Sequence, residues 1–294
     1  MAKGEHVLPR RKHSLSHRLL DGAIVLYERV LKAFSNNLYF KVTTEFIQSV
    51  DLVYNVESPF GRIKFHCNSS TTLGRAKNAT KREPDTIEWI GSFSDGDVFW
   101  DLGCNIGVFS IFAAKANDVK IFAFDAMPGN IAGLIKNIEL NEVEGKIIPF
   151  CAPLSNESKL ETLYLPLQSM ETGGNGAQLK IKEDAYMKPI DPVVTLTSPG
   201  YSLDDLVEML GLPIPDHIKM DVDGVEEFVV AGAMKTLANP KVRSLMFEIP
   251  AQLHDKIVGD LVDIGFVHTK SVSPVFGAPI IENYSGTNNF FIRS

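Results

Sequence analysis

The pattern of apolar and polar positions changes near residue 98. From there on, short runs rich in β-branched and aromatic residues alternate with segments whose apolar residues recur at helical spacing. This alternation is typical of a parallel sheet covered by helices on both faces. The predicted strands are 97–103, 119–126, 146–154, 217–224, 242–250, 265–272 and 288–294. The predicted helices are 108–115, 129–141, 202–210, 225–237 and 255–264.

Two regions depart from this alternation. Residues 156–200 are rich in Gly, Lys and Pro, which favours a loop or small insertion beside the sheet. Residues 1–85 predict a helix followed by possible strands within 46–58 and 61–67. We therefore expect an N-terminal extension over 1–85, and a second domain over 86–294 that contains the insertion.

Composition narrows the class of protein. The chain has 294 residues, 45% of them hydrophobic, which is enough for one large α/β domain with an extension. A formal net charge of −7 argues against nucleic acid as the main partner, because neutralising phosphates needs a basic surface. The cysteines are few and form no C-x-x-C pair, so we expect a reducing, cytoplasmic setting. They are Cys67, Cys104 and Cys151.

The N-terminal region begins with the basic cluster Arg10, Arg11 and Lys12, followed by the apolar-rich segment 19–34. Asp21, Glu28 and Arg29 interrupt that segment, which makes it too charged and too short for a membrane span of about 20 apolar residues. No transmembrane segment is predicted elsewhere. An amphipathic helix that packs on the body and a basic helix that lies on a membrane surface both remain open.

The stretch "FWDLGCNIGVFSIFAAK", which starts at Phe99, joins the first strand of the predicted sheet to a helix. Ligands of open parallel sheets bind beyond the carboxyl ends of the strands. Gly103 and Gly107 would let the backbone approach a ligand closely, and the following helix presents free N–H groups. Asp101 would repel a phosphate but would attract a cationic ligand, and Asn105 lies in the same turn.

The second acidic position, Asp125, ends the next strand, where a carboxylate can bind both hydroxyls of an adenosine ribose. An acid at each position suits S-adenosylmethionine, which carries an amino acid and a sulfonium centre in place of phosphates. The glycine spacing G-x-x-x-G also differs from the dinucleotide pattern G-x-G-x-x-G. We expect Asp101, Gly103, Asn105, Gly107 and Asp125 to hold the cofactor, with Met127 and Ala152 beside its adenine.

From about residue 96 onward the chain resembles the FkbM-type methyltransferases. The blocks that carry the resemblance are "FWDLGCNIGVFSIFAA", "FAFDAMPGNIAGLIKNIELN", "APLSN", "YSLDDL", "HIKMDVDGVEEFVVAGA", "LMFEI" and "NNFFI". The resemblance implies a Rossmann-like class I fold with a mostly parallel seven-stranded sheet. It also implies methyl transfer from S-adenosylmethionine to a hydroxyl of a sugar, glycan or secondary metabolite. Residues 1–85 show no comparable match.

Candidate catalytic groups are densest in "HIKMDVDGVEEF". Asp221 is our leading base or acceptor-orienting residue, and Lys219 lies on the same side of the strand to pair with it. Glu248 ends the next strand and would face the same rim. Asp223 and Glu226 either bind substrate or cap the following helix, since their spacing matches a capping pattern.

Several less specific interpretations stay open. A cation bridging Asp221, Asp223 and Glu248 is conceivable because hard cations prefer oxygen ligands, but we predict no metal. His217 precedes its strand and is expected to face solvent. A nicotinamide-dependent oxidoreductase or a non-catalytic Rossmann-like scaffold would share the sheet. A thermal-shift comparison of S-adenosylmethionine with NAD separates the oxidoreductase from the methyltransferase.

Overall fold

The computed structural model describes residues 15–184, 188–273 and 286–294, and these divide into two compact units between Asp51 and Leu52. The first unit contains α1 (Leu15–Phe34) and α2 (Asn36–Ser49). Ser35 separates them and caps α2 by accepting a hydrogen bond from the Leu38 N–H at 3.0 Å. The predicted strand over 46–58 is therefore wrong at its start, because residues 46–49 continue the helix.

The second unit begins with β1 (Val53–Ser58) and β2 (Gly61–His66), an antiparallel hairpin, followed by α3 (Ser70–Asn78) and α4 (Pro84–Gly91). Ile63 and Phe65 of the hairpin and Ile90 of α4 belong to the same apolar core as Phe99 of the central sheet. The structure thus divides after Asp51, whereas the sequence predicts a boundary near residue 85. The reason is that residues 52–85 bury their apolar side chains against the sheet. The predicted division of roles between 1–85 and 86–294 stays a prediction.

The central sheet confirms the predicted α/β fold class, a Rossmann-like sheet of seven strands. Its strands in chain order are β3 (Val98–Leu102), β4 (Lys120–Asp125), β5 (Ile147–Cys151), β9 (His217–Met220), β10 (Ser244–Ile249), β11 (Phe266–Val272) and β12 (Thr287–Arg293). Their spatial order is β11-β12-β10-β9-β3-β4-β5, in which β12 runs antiparallel to both neighbours and the other pairs are parallel. The order reverses between β3 and β9, which places a crevice at their carboxyl ends.

Helices flank this sheet close to their predicted bounds. They are α5 (Val108–Ala116), α6 (Pro128–Asn141), α7 (Leu203–Leu210), α8 (Glu226–Ala231), α9 (Met234–Ala238) and α10 (His254–Asp263). The single helix predicted over 225–237 is broken between α8 and α9. A Cβ at Gly232 would lie 2.3 Å from the Ser155 carbonyl oxygen, so the chain approaches its neighbour too closely there for any other residue.

The segment predicted as a loop or small insertion contains a second sheet. β6 (Lys159–Leu165) pairs antiparallel with β7 (Gln178–Leu179) and with β8 (Val194–Gly200). Alternating residues such as Leu163 and Leu165 point into a small apolar cluster, a signal that the high content of Gly, Lys and Pro obscured.

Within the described parts of the chain, no helix is both long enough and apolar enough to cross a membrane. The basic cluster Arg10 to Lys12 lies outside the described residues, so its predicted membrane contact stays a prediction.

Candidate active site

A cavity of about 370 Å³ opens at the carboxyl ends of β3, β4, β9 and β10. Nine of the predicted site residues line it: Gly103, Asn105, Asp125, Met127, Ala152, Lys219, Asp221, Asp223 and Glu248. Asp101, Gly107 and Glu226 do not line it. The structure therefore brings the predicted cofactor-binding and catalytic groups to one place, with three of them supporting its walls.

The turn after β3 depends on left-handed backbone conformations at Gly103, Asn105 and Gly107, with φ values of 79°, 53° and 80°. A Cβ at Gly103 would lie 1.7 Å from the Asp221 carbonyl oxygen, and a Cβ at Gly107 would lie 2.2 Å from Leu134. The glycines therefore let this turn pack against the end of β9 and against α6. We expected their role to be close approach to a ligand, and only Gly103 also lines the cavity.

Asp125 is fixed at the end of β4 by three donors. Its carboxylate accepts hydrogen bonds from the Asn105 N–H at 2.9 Å, the Met127 N–H at 2.8 Å and the Asn130 side-chain amide at 3.1 Å. Burial raises the pKa of Asp125 to about 6, although these hydrogen bonds oppose the rise. Oδ1 accepts two of these hydrogen bonds and Oδ2 only one, so Oδ2 retains capacity for a ligand hydroxyl.

Asp101 lies beneath the turn and is completely buried. One carboxylate oxygen accepts a hydrogen bond from the Ser110 hydroxyl at 2.6 Å, and the other has no hydrogen-bond partner in the part of the chain that the structure describes. In the parallel pairing of β3 with β9, Asp101 stands directly beside Lys219. Asp101 therefore contributes its charge to Lys219 from below the cavity floor.

Lys219 is a fully buried cation at the floor of the cavity, with 1% of its surface exposed. Its Nζ lies 3.5 Å from an Asp221 carboxylate oxygen and 4.9 Å from the centre of the Phe109 ring. Burial disfavours the charged form, but the carboxylates of Asp221, Glu83 and other neighbours outweigh burial and raise the pKa of Lys219. Lys219 is therefore a permanent positive charge at neutral pH.

Glu83 was missed by the sequence analysis, although it lines the cavity beside Lys219 and Glu248. Its carboxylate accepts hydrogen bonds from the Thr86 hydroxyl at 3.1 Å and the Asn288 side-chain amide at 3.0 Å. Burial raises the pKa of Glu83, and it raises that of Glu248 well above the ordinary value. A Glu-Pro pair at the start of a helix carries no catalytic signal, so only the tertiary fold reveals Glu83.

Asp223 has a left-handed backbone, with φ of 58°, and its carboxylate accepts a hydrogen bond from the Gly176 N–H at 3.1 Å. Burial and the charge of Asp221 raise the pKa of Asp223 to about 6. Glu226 accepts a hydrogen bond from the Gly224 N–H at 2.9 Å, and burial raises its pKa to about 8. The N-cap residue of α8 is Val225, without a side-chain cap, so the capping interpretation of Asp223 and Glu226 is wrong.

Gly174, Asn175 and Gly176 of the insertion line one side of the cavity. The Gly174 carbonyl accepts hydrogen bonds from the side-chain amides of Asn105 at 2.7 Å and Asn130 at 3.2 Å. The Arg75 Nε donates to the Gly173 carbonyl at 2.5 Å. The glycine turn, α3, α6 and the insertion therefore meet at the cavity.

Of the two remaining sequence positions, His217 lies apart from the cavity and Cys104 lines it. His217 is 6% exposed at the amino end of β9, where its ring contacts Asp97 and Ser244, so the expectation that it faces solvent is wrong. Cys104 is buried beside the turn, and burial raises the pKa of its thiol well above the ordinary value. Among the described residues, no three His, Cys, Asp or Glu side chains are grouped so that they could hold a metal ion.

The sheet order, the glycine turn and the acidic residue after β4 define the chain as a Rossmann-like protein of the class I methyltransferase type. The chain belongs to the family described by the Methyltransferase FkbM domain, whose model matches residues 101–266. S-adenosylmethionine is the methyl donor of this class. The cavity fits it, since carboxylates surround the space that its cationic groups would occupy.

Two curated relatives are similar to this chain. The hexuronic acid methyltransferase AglP of Haloferax volcanii is 30% identical over 169 residues, which is 57% of this chain and 62% of the relative. The 31-O-demethyl-FK506 methyltransferase FkbM of Streptomyces tacrolimicus is 24% identical over 205 residues, 62% of this chain and 76% of the relative. The chain thus spans less than two thirds of the first relative.

Among solved structures, Aeropyrum pernix fibrillarin with bound S-adenosyl-L-methionine matches with a TM-score of 0.44 and 10% identity, over 83% of each chain. That similarity is too low to say anything further about this chain.

Proposed function

We propose that the protein transfers a methyl group from S-adenosylmethionine to a hydroxyl oxygen of a sugar or another small metabolite. The observation that carries this proposal is the pair formed by the buried Lys219 and the partly exposed Asp221, both of which line the same cavity as Asp125 and the glycine turn. The names of the two curated relatives, which refer to a hexuronic acid and to FK506, support a hydroxylated small-molecule acceptor.

In this proposal the cofactor lies over β3 and β4. Asp125 binds the ribose hydroxyls, the turn at Gly103 and Asn105 faces the methionine part, and Met127 and Ala152 lie beside the adenine. Their common position on the cavity wall supports these roles. Asp101 and Gly107 act from outside the cavity, Asp101 through Lys219 and Gly107 by holding the turn against α6.

In this proposal the catalytic groups lie at the carboxyl ends of β9 and β10. S-adenosylmethionine supplies a methyl group that a positively charged sulfur has already activated. The acceptor hydroxyl still has to be aligned and relieved of its proton. In our proposal Asp221 takes that proton onto a carboxylate oxygen, and Lys219 orients Asp221 through their 3.5 Å contact. Glu248, Glu83 and Asp223 hold the acceptor, and Glu226 supports the backbone of Asp223.

The location of the protein is also a proposal. Cys67, Cys104 and Cys151 are all free thiols in the structure, which supports a reducing compartment such as the cytoplasm.

Transfer of a labelled methyl group tests the function directly. We expect a cell extract incubated with the full chain and methyl-labelled S-adenosylmethionine to gain label in a small sugar-containing or hydroxylated metabolite, detected by mass spectrometry. Incorporation equal to a control without protein would contradict the proposal. A thermal-shift comparison in which NAD stabilises the chain and S-adenosylmethionine does not would favour the oxidoreductase alternative.

The ribose assignment has its own test. We expect Asp125→Ala to weaken S-adenosylhomocysteine binding by about 100-fold, because hydrogen bonding of the ribose to a carboxylate is lost. The measurement is titration calorimetry. The control is Asp118→Ala, which removes a carboxylate that is 80% exposed. Equal affinities for both variants would remove Asp125 from the cofactor site.

A further inference from the structure

Arg75 is a cation on the cavity wall that no sequence motif indicates. It lies on α3, which begins with a capping box between Ser69 and Thr72, so its position is set by a well-defined helix. The side chain is partly buried rather than free in solvent. An arginine held in this way has already lost much of its conformational freedom, which makes it a favourable binding group.

The guanidinium of Arg75 is held from one side only. Its Nε donates to the Gly173 carbonyl at 2.5 Å, whereas no carboxylate of the described residues pairs with it within 4.0 Å. The two terminal nitrogens are thus available to a ligand. Their planar, parallel geometry matches a carboxylate, to which they can donate two hydrogen bonds at once.

The charges around Arg75 indicate which part of the cavity it serves. Its strongest attractive interactions are with Asp221 and Asp223, which follow β9, and a weaker one is with Asp125, which follows β4. Asp221 is the residue that we propose to activate the acceptor, and Asp125 the one that binds the cofactor ribose. Arg75 therefore faces the carboxylates of the cavity, and the same segment of the chain supplies Glu83, one of the residues that we propose to hold the acceptor.

We propose that Arg75 binds a carboxylate of the acceptor, so that the substrate is an acidic sugar whose hydroxyl is methylated. This inference rests on the proposed function. Arg75 would act as a specificity-determining residue, because a neutral sugar leaves its two terminal nitrogens without a partner. A singly charged carboxylate suits the site better than a phosphate dianion, since Glu83, Asp221, Asp223 and Glu248 also line the cavity.

The experiment compares two sugars that differ only in the carboxylate. The full-length protein is saturated with S-adenosylhomocysteine, and binding of 4-nitrophenyl glucuronide and 4-nitrophenyl glucoside is measured by calorimetry. We expect the wild type to prefer the glucuronide. Arg75→Met should lower the affinity for the glucuronide about 10- to 100-fold and leave the glucoside unchanged, whereas Arg75→Lys should lose part of the preference. The control, Lys77→Met, removes an exposed charge from the same helix and should behave as wild type.

Several outcomes would overturn the inference while leaving the proposed function intact. In the first, the wild type binds S-adenosylhomocysteine but does not bind the glucuronide, or does not prefer it to the glucoside. In the second, Arg75→Met lowers the affinity for both sugars equally. In a further arm, Arg75→Met could weaken S-adenosylhomocysteine but not 5′-methylthioadenosine, which lacks the amino-acid carboxylate. That result would assign Arg75 to the cofactor instead. Failure of the wild type to bind S-adenosylhomocysteine would contradict the proposed function itself.

Discussion

The two ends of β9 carry polar clusters of opposite character, although His217 and Lys219 are only two residues apart. At the amino end, the His217 ring contacts the Ser244 hydroxyl at 2.7 Å and the Asp97 carboxylate at 3.0 Å, and it stacks on Phe93 at 3.9 Å. At the carboxyl end, Lys219 faces a cavity. Nearby polar atoms of Asp101 and Glu226 have no hydrogen-bond partner among the described residues.

This difference separates a structural cluster from a candidate site. A Ser-His-Asp arrangement suggests a hydrolytic triad by composition alone, but Ser244 also accepts a hydrogen bond from the Trp89 indole at 2.8 Å, and none of the three residues lines the described cavity. A cluster whose polar groups find their hydrogen-bond partners within the cluster stabilises the fold. A cluster with unused hydrogen-bonding capacity beside a cavity can bind a ligand and do chemistry.

The largest effect is expected for a substitution at the carboxyl end of β9. We expect Asp221→Asn to lower kcat about 10²- to 10⁴-fold, because the amide cannot take the acceptor proton, while S-adenosylhomocysteine affinity changes little. The matched change at the amino end, Asp97→Asn, should leave kcat unchanged and lower the unfolding free energy. Steady-state kinetics with methyl-labelled S-adenosylmethionine measure kcat, and urea denaturation measures the free energy of unfolding. A loss of kcat in Asp97→Asn alone would reverse our assignment of the two ends.

A smaller effect is expected on stability at the amino end. His217→Ala should lower the free energy of unfolding by about 2–4 kcal/mol, because it leaves a cavity and removes a partner from both Ser244 and Asp97. Urea denaturation measures this loss, and calorimetry with S-adenosylhomocysteine should show wild-type affinity. His254→Ala is the control, since His254 is partly exposed at the start of α10. Equal stability of the two variants would show that the His217 cluster does not hold the fold.

The third effect is a difference in pH dependence. Burial raises the pKa of Glu226 to about 8, so the folded state binds an extra proton between the ordinary value of 4.5 and about 8. Glu226 therefore lowers stability as pH rises through this window, by at most about 1.4 kcal/mol per pH unit. Glu226→Gln should remove that fall in urea unfolding curves recorded from pH 5 to 8, whereas Glu139→Gln, at an exposed position, should not.

At the amino end of β9, the dependence of stability on pH has the opposite sign. Burial lowers the pKa of His217 below 6.5 even though Asp97 opposes this. The unfolded chain then binds the extra proton, so stability is lost as pH falls below 6.5.

Curves for Glu226→Gln and wild type that stay parallel from pH 5 to 8 would contradict the assignment of Glu226. A His217→Ala variant that keeps the wild-type loss below pH 6.5 would contradict that of His217.

The sequence predicts those features that depend on local pattern. The strands of the central sheet follow from apolar runs, and Asp125 and Asp221 follow from their position at strand ends. Glu83, Arg75 and Gly174 carry no such signal, because each reaches the cavity through contacts with residues far away in the chain. The break at Gly232 also carries no local signal, because the close approach of this residue to the Ser155 carbonyl involves a distant part of the chain.

The hydrogen bond between Asn288 and Glu83 joins positions 205 residues apart. During synthesis, the ribosome therefore releases almost the whole central sheet before this contact can form. A nascent chain halted before residue 288 would lack one of the two side-chain donors to Glu83. The full hydrogen bonding of this cavity-lining glutamate is thus among the last features that the growing polypeptide acquires.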